Sequence, residues 1–251
     1  MEKYFDINEQ KLSIRCKIYC RDIHNIKRIV VFGHGFGGHK DTRACARFAE
    51  QTISKYKTTA VLAFDWPCHG NDARNKLTLT DCDTYLTLVL AYIQRTWQTE
   101  DIYYYGTSFG GYLVLKYISE HGSPFRKIAL RCPAVSIYDS LMNTIMTEEN
   151  KLLLEKGKDA LVGFDRLVKI NKSYLEELKA NDIREREFLD FADDLLIIHG
   201  TEDEIIPYRD AVEFAENNVI ELIAADGADH RFRNPKQIDL AHAEILKFFF
   251  S

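Results

Sequence analysis

The stretch Tyr103-Tyr104-Tyr105-Gly106-Thr107-Ser108-Phe109-Gly110-Gly111 contains the strongest local signal in the sequence. An apolar run leads into the pattern Gly-x-Ser-x-Gly, and residues 112–118 then carry apolar side chains at helical spacing. A serine at a sharp turn between a strand and a helix needs small neighbours, because the two elements approach each other closely there. Such a turn directs the hydroxyl away from the sheet, with the positive N-terminus of the helix behind it. The stretch therefore predicts a strand, a tight turn at Ser108 and a helix.

Short apolar runs alternate with helical patterns along most of the chain. Strands are predicted at residues 28–33, 60–64, 102–105, 128–132, 195–198 and 219–223. Helices are predicted at residues 42–55, with Asp41 as the N-cap, and at 83–97, 112–118, 210–217 and 235–249. Alternating strands and helices favour an α/β fold with a mostly parallel, doubly wound sheet. The first 19 residues alternate with period two instead, which predicts an antiparallel hairpin that turns around Asn8-Glu9-Gln10.

Residues 133–190 interrupt this alternation, since no strand is predicted there and the polar stretches have helical character. A plain connection between two core strands is much shorter. We therefore expect one domain, residues 1–251, with a helical cap at 133–190 inserted over the sheet. A disordered insert is the alternative, but the segment contains apolar residues that are expected to be buried: Leu152, Leu153, Leu154, Leu161, Val162, Phe164, Leu167 and Val168.

Composition excludes several classes of partner. Of the 251 residues 46% are hydrophobic, and the formal net charge is -5 without any block of basic residues. Neither nucleic acid nor an anionic membrane surface is an expected partner. No apolar run approaches the roughly 20 residues that a membrane-spanning helix needs. The polar N-terminus predicts no signal peptide, and the six dispersed cysteines form no Cys-x-x-Cys pair, so we expect reduced thiols in a cytoplasmic protein.

A serine at such a turn needs a base, and the base needs an acid that orients it. The expected chain order is Ser, Asp or Glu, then His. Of the later histidines, His230 lies in a loop between the last predicted strand and the last helix, which favours it over His199 and His242. Asp203, after the glycine turn that ends the preceding strand, is favoured as the acid over Glu202 and Glu204. The predicted catalytic residues are therefore Ser108, Asp203 and His230.

An oxyanion hole needs two preorganised backbone N–H groups. One is expected from Phe109, and the other from Phe36 in the loop His34-Gly35-Phe36-Gly37-Gly38. We expect Gly35, Phe36 and Phe109 to contact the substrate. The alternative for this loop, a phosphate cradle, is disfavoured because the loop has neither the Lys-Ser/Thr of a P-loop nor the spacing of a dinucleotide fingerprint.

Four segments together resemble the α/β-hydrolase superfamily: residues 34–38, 65–70 (Asp-Trp-Pro-Cys-His-Gly), 106–111, and 199–207 with His230 following. Within it, the chain looks like the group of monoacylglycerol lipase-like enzymes, serine aminopeptidase-like proteins and bacterial cinnamoyl (feruloyl) esterases. Members of this group carry a short helical cap after the sixth core strand, which matches 133–190. The elbow departs from the group, because it reads Gly-Thr-Ser rather than the commoner Gly-His-Ser.

The resemblance implies hydrolysis of a small-molecule carboxylic ester through a covalent acyl-enzyme. A serine peptidase would use the same three residues, and a binding module that has lost turnover is a third reading of the same fold. No metal and no organic cofactor is expected. The charged cap and the rings of Phe36 and Phe109 favour small or aromatic acyl groups over long lipid chains. The sequence leaves the oligomeric state open, a homodimer included.

Overall fold

In the computed structural model, which describes residues 1–72, 76–164 and 166–251, eight strands form one central sheet. The described strands are β1 (Glu2–Glu9), β2 (Leu12–Tyr19), β3 (Arg28–Gly33), β4 (Thr59–Phe64), β5 (Ile102–Thr107), β6 (Ile128–Arg131), β7 (Ala160–Val162), β8 (Val168–Ile170), β9 (Leu195–Gly200) and β10 (Glu221–Ala225). Their order in the sheet is β1-β2-β4-β3-β5-β6-β9-β10. β1 pairs with β2, and β2 with β4, in antiparallel fashion. The remaining neighbours in this sheet, β4-β3-β5-β6-β9-β10, all pair in parallel. The mostly parallel sheet with an N-terminal hairpin is thus confirmed.

The described helices are α1 (Arg43–Lys55), α2 (Leu79–Trp97), α3 (Phe109–His121), α4 (Ile137–Ser140), α5 (Glu148–Glu155), α6 (Lys172–Ala180), α7 (Tyr208–Asn218) and α8 (Pro235–Phe250). A π-helical turn (Leu141–Ile145) and two 3₁₀ turns (Ile183–Glu185 and Leu189–Asp194) complete the set. No helix in the described part of the chain is long and apolar enough to cross a bilayer.

The core lies on both faces of the sheet, because successive side chains of a strand point to opposite sides. Val31 and Tyr104 belong to the cluster that packs against α2 and α3. Their neighbours Val30 and Tyr105 belong to a second cluster, which includes apolar residues of α1 and α8. Strands buried on both faces need continuous apolar runs, and this requirement explains why their positions could be predicted within two residues of the observed bounds.

Two local expectations were wrong. The N-cap of α1 is Thr42, whose side chain accepts from the N–H of Cys45, whereas the Asp41 carboxylate pairs with Lys40 Nζ at 2.8 Å. Residues 133–190 also contain a two-stranded antiparallel sheet, β7 with β8, in addition to the expected helices. Strands of three residues are too short for their alternation to be distinguished from a helical pattern.

The apolar residues of the cap divide into two groups. Leu154, Val162 and Val168 are buried as expected. Leu152, Leu161, Phe164 and Leu167 are instead about half exposed. The sequence predicts burial for these four residues, and the structure does not show it.

Candidate active site

Ser108 lies between the last residue of β5 and the first residue of α3, with φ 51° and ψ −115°. A non-glycine residue rarely adopts a positive φ, so the backbone is strained at this position. Glycine is required at positions 106 and 110, because other parts of the chain approach the backbone closely there. A Cβ at Gly106 would lie 3.0 Å from the backbone nitrogen of Gly111, and one at Gly110 would overlap the carbonyl oxygen of Gly33. The turn predicted from the Gly-x-Ser-x-Gly pattern is therefore present, and its geometry depends on the glycines.

The structure brings the three predicted catalytic side chains together. His230 Nε2 lies 3.0 Å from Ser108 Oγ, and His230 Nδ1 lies 2.7 Å from Asp203 Oδ2. Asp203 follows β9 and His230 follows β10, so both approach Ser108 from the carboxyl ends of parallel strands. The Asp203 side chain is fully buried and that of His230 nearly so. In this arrangement His230 can accept the hydroxyl proton of Ser108, and Asp203 can stabilise the imidazolium that results.

Three hydrogen bonds and one close contact from His199 hold the Asp203 carboxylate. Oδ1 accepts from the backbone N–H groups of Ile205 and Ile206, at 2.9 and 2.8 Å. Oδ2 accepts from His230 and lies 3.1 Å from His199 Nε2. Burial alone would raise the pKa of Asp203, but the hydrogen bonds from His199 and His230 outweigh it and hold the pKa well below its usual range. Asp203 is therefore ionised, as an acid that orients a histidine must be.

His199 is the residue whose place the sequence did not reveal. It is not the base: it lies behind the acid, fully buried, with Nε2 also 3.0 Å from the carbonyl oxygen of Ile206. The available signal was its position at the end of β9, four residues before Asp203. His242, the other rival, is buried in α8, where Nδ1 lies 2.8 Å from the amide oxygen of Gln51.

The loop of residues 34–38 passes directly beside the serine. A Cβ at Gly35 would lie 3.2 Å from Ser108 Cβ, so the loop could not carry a side chain at this position without crowding the hydroxyl. His34 holds the loop from within the core. Its Nε2 accepts from the Trp66 backbone N–H, so Nδ1 carries the proton and donates to the Gly35 carbonyl oxygen at 2.9 Å. Burial lowers the pKa of His34 well below its ordinary value, which keeps the ring in this neutral form.

The two predicted oxyanion residues differ in where their side chains lie. Phe36 lines the cavity that contains Ser108. The ring of Phe109 is fully buried, stacked on Tyr112 and edge-on to Phe36, and does not line the cavity. The expectation that the Phe109 ring contacts the substrate was therefore wrong. Its backbone N–H, as the first of α3, has no acceptor within the helix and stays available beside Ser108.

Ser108 opens into a cavity of about 620 Å³. Gly35, Phe36 and the beginning of α1 form one side of it, and His230 forms another. The loop between β7 and β8 contributes Phe164 and Arg166, so the cap reaches the same cavity as the serine. Five arginines line this space, a feature that sequence analysis missed because they come from separate elements.

Cys132 is a further titratable group close to Asp203 and His230. Cys132, Asp203 and His230 each offer a metal-ligating atom, and these atoms lie within 4.8 Å of one another. Burial, and then the charge of Asp203, raise the pKa of the Cys132 thiol well above its ordinary value. A neutral thiol is a poor metal ligand, and both other residues are engaged with each other, so these residues do not favour a metal.

Known proteins share a sequence profile and the fold with this chain. The profile of the prolyl oligopeptidase family matches residues 65–251. No curated protein matches the sequence. Among solved structures, the esterase Est1E from Butyrivibrio proteoclasticus with bound ferulic acid superposes with a TM-score of 0.78 at 21% identity, covering 98% of this chain and 100% of that one. A putative hydrolase from Agrobacterium vitis gives a TM-score of 0.77 at 17% identity, covering 99% and 98% of the two chains. The monoacylglycerol lipase of Paleococcus ferrophilus gives 0.64 at 18%, covering 94% and 98%. These likenesses show the α/β-hydrolase fold.

Proposed function

We propose that this chain, which belongs to the prolyl oligopeptidase family, is a serine hydrolase that cleaves carboxylic esters through a covalent acyl-enzyme. The observation that carries the proposal is the chain of contacts from Ser108 Oγ to His230 Nε2 at 3.0 Å and from His230 Nδ1 to Asp203 Oδ2 at 2.7 Å. Distances in this range let a proton move from the hydroxyl to the imidazole as the oxygen attacks.

In the proposed first step, His230 takes the proton of Ser108 as Oγ forms a bond to the ester carbonyl carbon. The Phe36 and Phe109 backbone N–H groups stabilise the negative oxygen of the tetrahedral intermediate. The bond to the alcohol then breaks, and His230 returns its proton to the leaving oxygen. In the second step His230 activates a water that attacks the acyl carbon, and Ser108 is released with its proton restored.

A second candidate, cleavage of short peptides, is favoured by membership of a family of peptidases. The same three residues would serve. A substrate with a free ammonium group would need an anionic partner, however, and the described residues that line the cavity include five arginines and no Asp or Glu. The charge of the cavity therefore supports the ester over an aminopeptidase substrate.

The substitution Ser108→Ala tests the nucleophile. Removing one member of such a triad costs about three or more powers of ten in kcat, so hydrolysis of p-nitrophenyl acetate should fall to near the background rate. The fold should persist, because the glycines and not the hydroxyl determine the turn. A fluorophosphonate probe should label the wild type and not the variant, and peptide mass analysis should locate the label at Ser108.

Ser119→Ala is the matched control, since this serine lies in the same helix α3 and does not line the cavity. Its hydroxyl donates to the Lys116 carbonyl oxygen at 2.7 Å and accepts from Arg186 Nη1 at 2.5 Å. This variant should leave turnover and labelling intact. Retention of a tenth of wild-type activity by Ser108→Ala would contradict the assignment. Parallel assays with aminoacyl arylamides separate the two candidates, because the proposed function requires faster cleavage of esters after correction for their intrinsic reactivity.

A further inference from the structure

The cavity beside Ser108 has a charge opposite to that of the whole chain. The formal net charge of the protein is -5. Yet Arg43, Arg131, Arg166, Arg231 and Arg233 all line this one space, and none of the described lining residues is Asp or Glu. Low-dielectric walls that carry one sign of charge concentrate counter-ions of the other sign. The cavity therefore attracts anions.

Part of this positive charge is compensated by neighbouring groups. Arg233 forms ion pairs with Asp229 at 2.8 Å and with Glu204 at 3.5 Å. The Arg231 guanidinium lies over the ring of Phe164, 5.5 Å from its centroid. These two arginines have partners and help to shape the loop that carries His230. The excess charge of the cavity comes from the other three.

Arg131, the last residue of β6, is the most unusual of them because it is only 7% exposed. Its guanidinium lies 5.1 Å from the centroid of the Phe232 ring, and Nη1 makes a long hydrogen bond of 3.4 Å to the carbonyl oxygen of Arg231. Its Nε is buried without a hydrogen-bond partner among the described residues. A buried guanidinium is costly unless an acid or a strong acceptor faces it. No carboxylate of the described chain does so, although the side chain borders the cavity.

The N-terminus of α1 faces the same space through Thr42, Arg43 and Ala44. Thr42 already satisfies two groups of the first turn, since its Oγ1 accepts from Cys45 N and its carbonyl oxygen from Ala46 N. The N–H groups of Arg43 and Ala44 have no acceptor within the helix and lie at its positive end. The N-terminus of this 13-residue helix, which begins at Arg43, is therefore a second group in the cavity that can bind an anion, besides the buried Arg131.

From these observations we infer that the cavity binds an anionic group, a carboxylate or a phosphate, of the ester that Ser108 attacks. The inference rests on the proposed function and names its substrate class: esters that carry a negative charge a few bonds away from the scissile carbonyl. Arg131 contributes a buried charge to the lining of the cavity, and Arg43 with the start of α1 contributes a second positive group. Neutral esters leave these groups without a partner and bind more weakly.

Three anionic esters test where the charge must be. Mono-p-nitrophenyl glutarate carries a carboxylate on the acyl side, para-acetoxybenzoate carries one on the alcohol side, and para-acetoxyphenyl phosphate carries a phosphate on the alcohol side. Each is compared with a neutral analogue in which an isopropyl group replaces the anion. Every kcat/KM is divided by the hydroxide-catalysed rate of the same ester. At least one anionic ester should exceed its analogue roughly tenfold, the contribution typical of a charge-assisted hydrogen bond.

Substitutions connect this preference to the arginines. Arg43→Gln and Arg131→Met should each lower the ratio of anionic to neutral kcat/KM by roughly tenfold. Arg47→Gln is the matched control, because Arg47 lies one turn further along α1, outside the cavity, where it pairs with Asp239 at 2.6 Å. It should leave the ratio unchanged although it alters the net charge equally. If Arg131→Met does not fold, Arg43→Gln alone still decides the result.

The outcomes separate this inference from the proposed function. Turnover of neutral esters through Ser108, with no preference for any of the three anionic esters, would overturn the inference and leave the proposed function standing. Calorimetry with glutarate and with inorganic phosphate on the Ser108→Ala variant gives a readout that does not require turnover. Binding of either anion that weakens in the additional Arg43→Gln variant supports the site even if no ester is cleaved. If no ester is cleaved, the absence of binding by both anions rejects it.

Discussion

At the scale of single residues, the site depends on Asp203 lying between two histidines. Oδ2 faces His230 Nδ1 at 2.7 Å and His199 Nε2 at 3.1 Å, while Oδ1 is fixed by two backbone N–H groups. With both oxygens held, the carboxylate cannot rotate away from His230. His199 therefore acts through Asp203, as a positioning residue in the proposed mechanism.

The substitution His199→Leu removes the imidazole that faces Asp203 Oδ2 and replaces it with an apolar side chain of similar size. Loss of one hydrogen bond to a charged group costs about 1.5–3 kcal/mol, so kcat should fall roughly tenfold to a hundredfold. KM should change little, because His199 does not line the cavity. Steady-state kinetics with p-nitrophenyl acetate measures both constants. Asp203→Asn should cost more, about four powers of ten, because it alters the partner of the base directly.

The conservative variant His199→Gln decides whether position or packing matters. The glutamine amide can donate to the same carboxylate, so this variant should recover most of the lost kcat. Equal losses in the leucine and glutamine variants would mean that the imidazole serves only to fill the core.

At the scale of elements, the site is made by the carboxyl ends of β5, β9 and β10, which lie on one edge of the sheet. Ser108 and His230 are 122 residues apart in sequence and in hydrogen-bond contact in space. The parallel pairing of β6 with both β5 and β9 produces this proximity, because it aligns the strand ends. The turn after β5 fits against β3 only because Gly110 has no side chain.

The substitution Gly110→Ala tests this fit. Its Cβ would overlap the carbonyl oxygen of Gly33 in the central strand β3, so either the strand or the elbow must move. Backbone cannot yield as a flexible side chain can, and we expect a loss of about 3 kcal/mol or more in the free energy of unfolding. Urea denaturation followed by circular dichroism measures it.

Gly122→Ala is the control at the other end of the same helix. Gly122 has φ 76° and ψ 169°, a conformation that essentially only glycine adopts, and nothing lies within 4 Å of its Cβ position. Alanine there meets backbone strain alone, about 1–3 kcal/mol. A similar loss in both variants would show that the Gly33 contact is unimportant.

The positions of the long helices and core strands were easier to predict than the short hairpin and the residues that line the cavity. β3 and α8 could be placed almost to the residue, because a buried strand requires a continuous apolar run and a helix its own period. The hairpin of β7 and β8 could not be predicted, since a strand of three residues is too short to show a clear alternation of apolar and polar side chains. Chain order was enough to choose Ser108, Asp203 and His230 as the proposed triad. The arginines of the cavity could not be predicted, because Arg43, Arg131 and Arg166 meet only after α1, β6 and the cap have packed, and no sequence spacing links them.

At the scale of the whole molecule, three of the buried histidines make the stability of the fold depend on pH. His34 lies in the loop beside the serine, His69 stacks beside Phe109, and His242 packs between Phe48 and Tyr105. Burial lowers the pKa of all three, that of His69 to about 4 and that of His242 to about 3, against an ordinary value of 6.5. Each is neutral in the folded protein at neutral pH.

The sign of the resulting stability change follows from these shifts. Below pH 6.5 the unfolded chain binds protons that the folded protein excludes, so acid favours unfolding. The free energy of unfolding should be highest above about pH 6.5 and should fall as the pH decreases toward 4, by about 1.4 kcal/mol per pH unit for each histidine. Carboxylates with lowered pKa values, such as Asp203, add to this loss of stability only when the pH falls below their unfolded pKa near 3.8. Urea denaturation at several pH values between 7.5 and 4.5 should therefore show a steep decline in this window.

The substitution His242→Phe isolates one of these histidines at a distance from the serine. Phenylalanine keeps the ring contacts with Phe48 and Tyr105 but has no basic nitrogen, so the slope of stability against pH should decrease by about 1.4 kcal/mol per unit. The variant should be less stable than the wild type at pH 7.5, where the bond to Gln51 is lost, and the difference should shrink as the pH falls. His24→Gln, at an exposed position, should leave the slope unchanged. If His242→Phe keeps the wild-type slope, the buried imidazole is not the group that makes acid destabilise the fold.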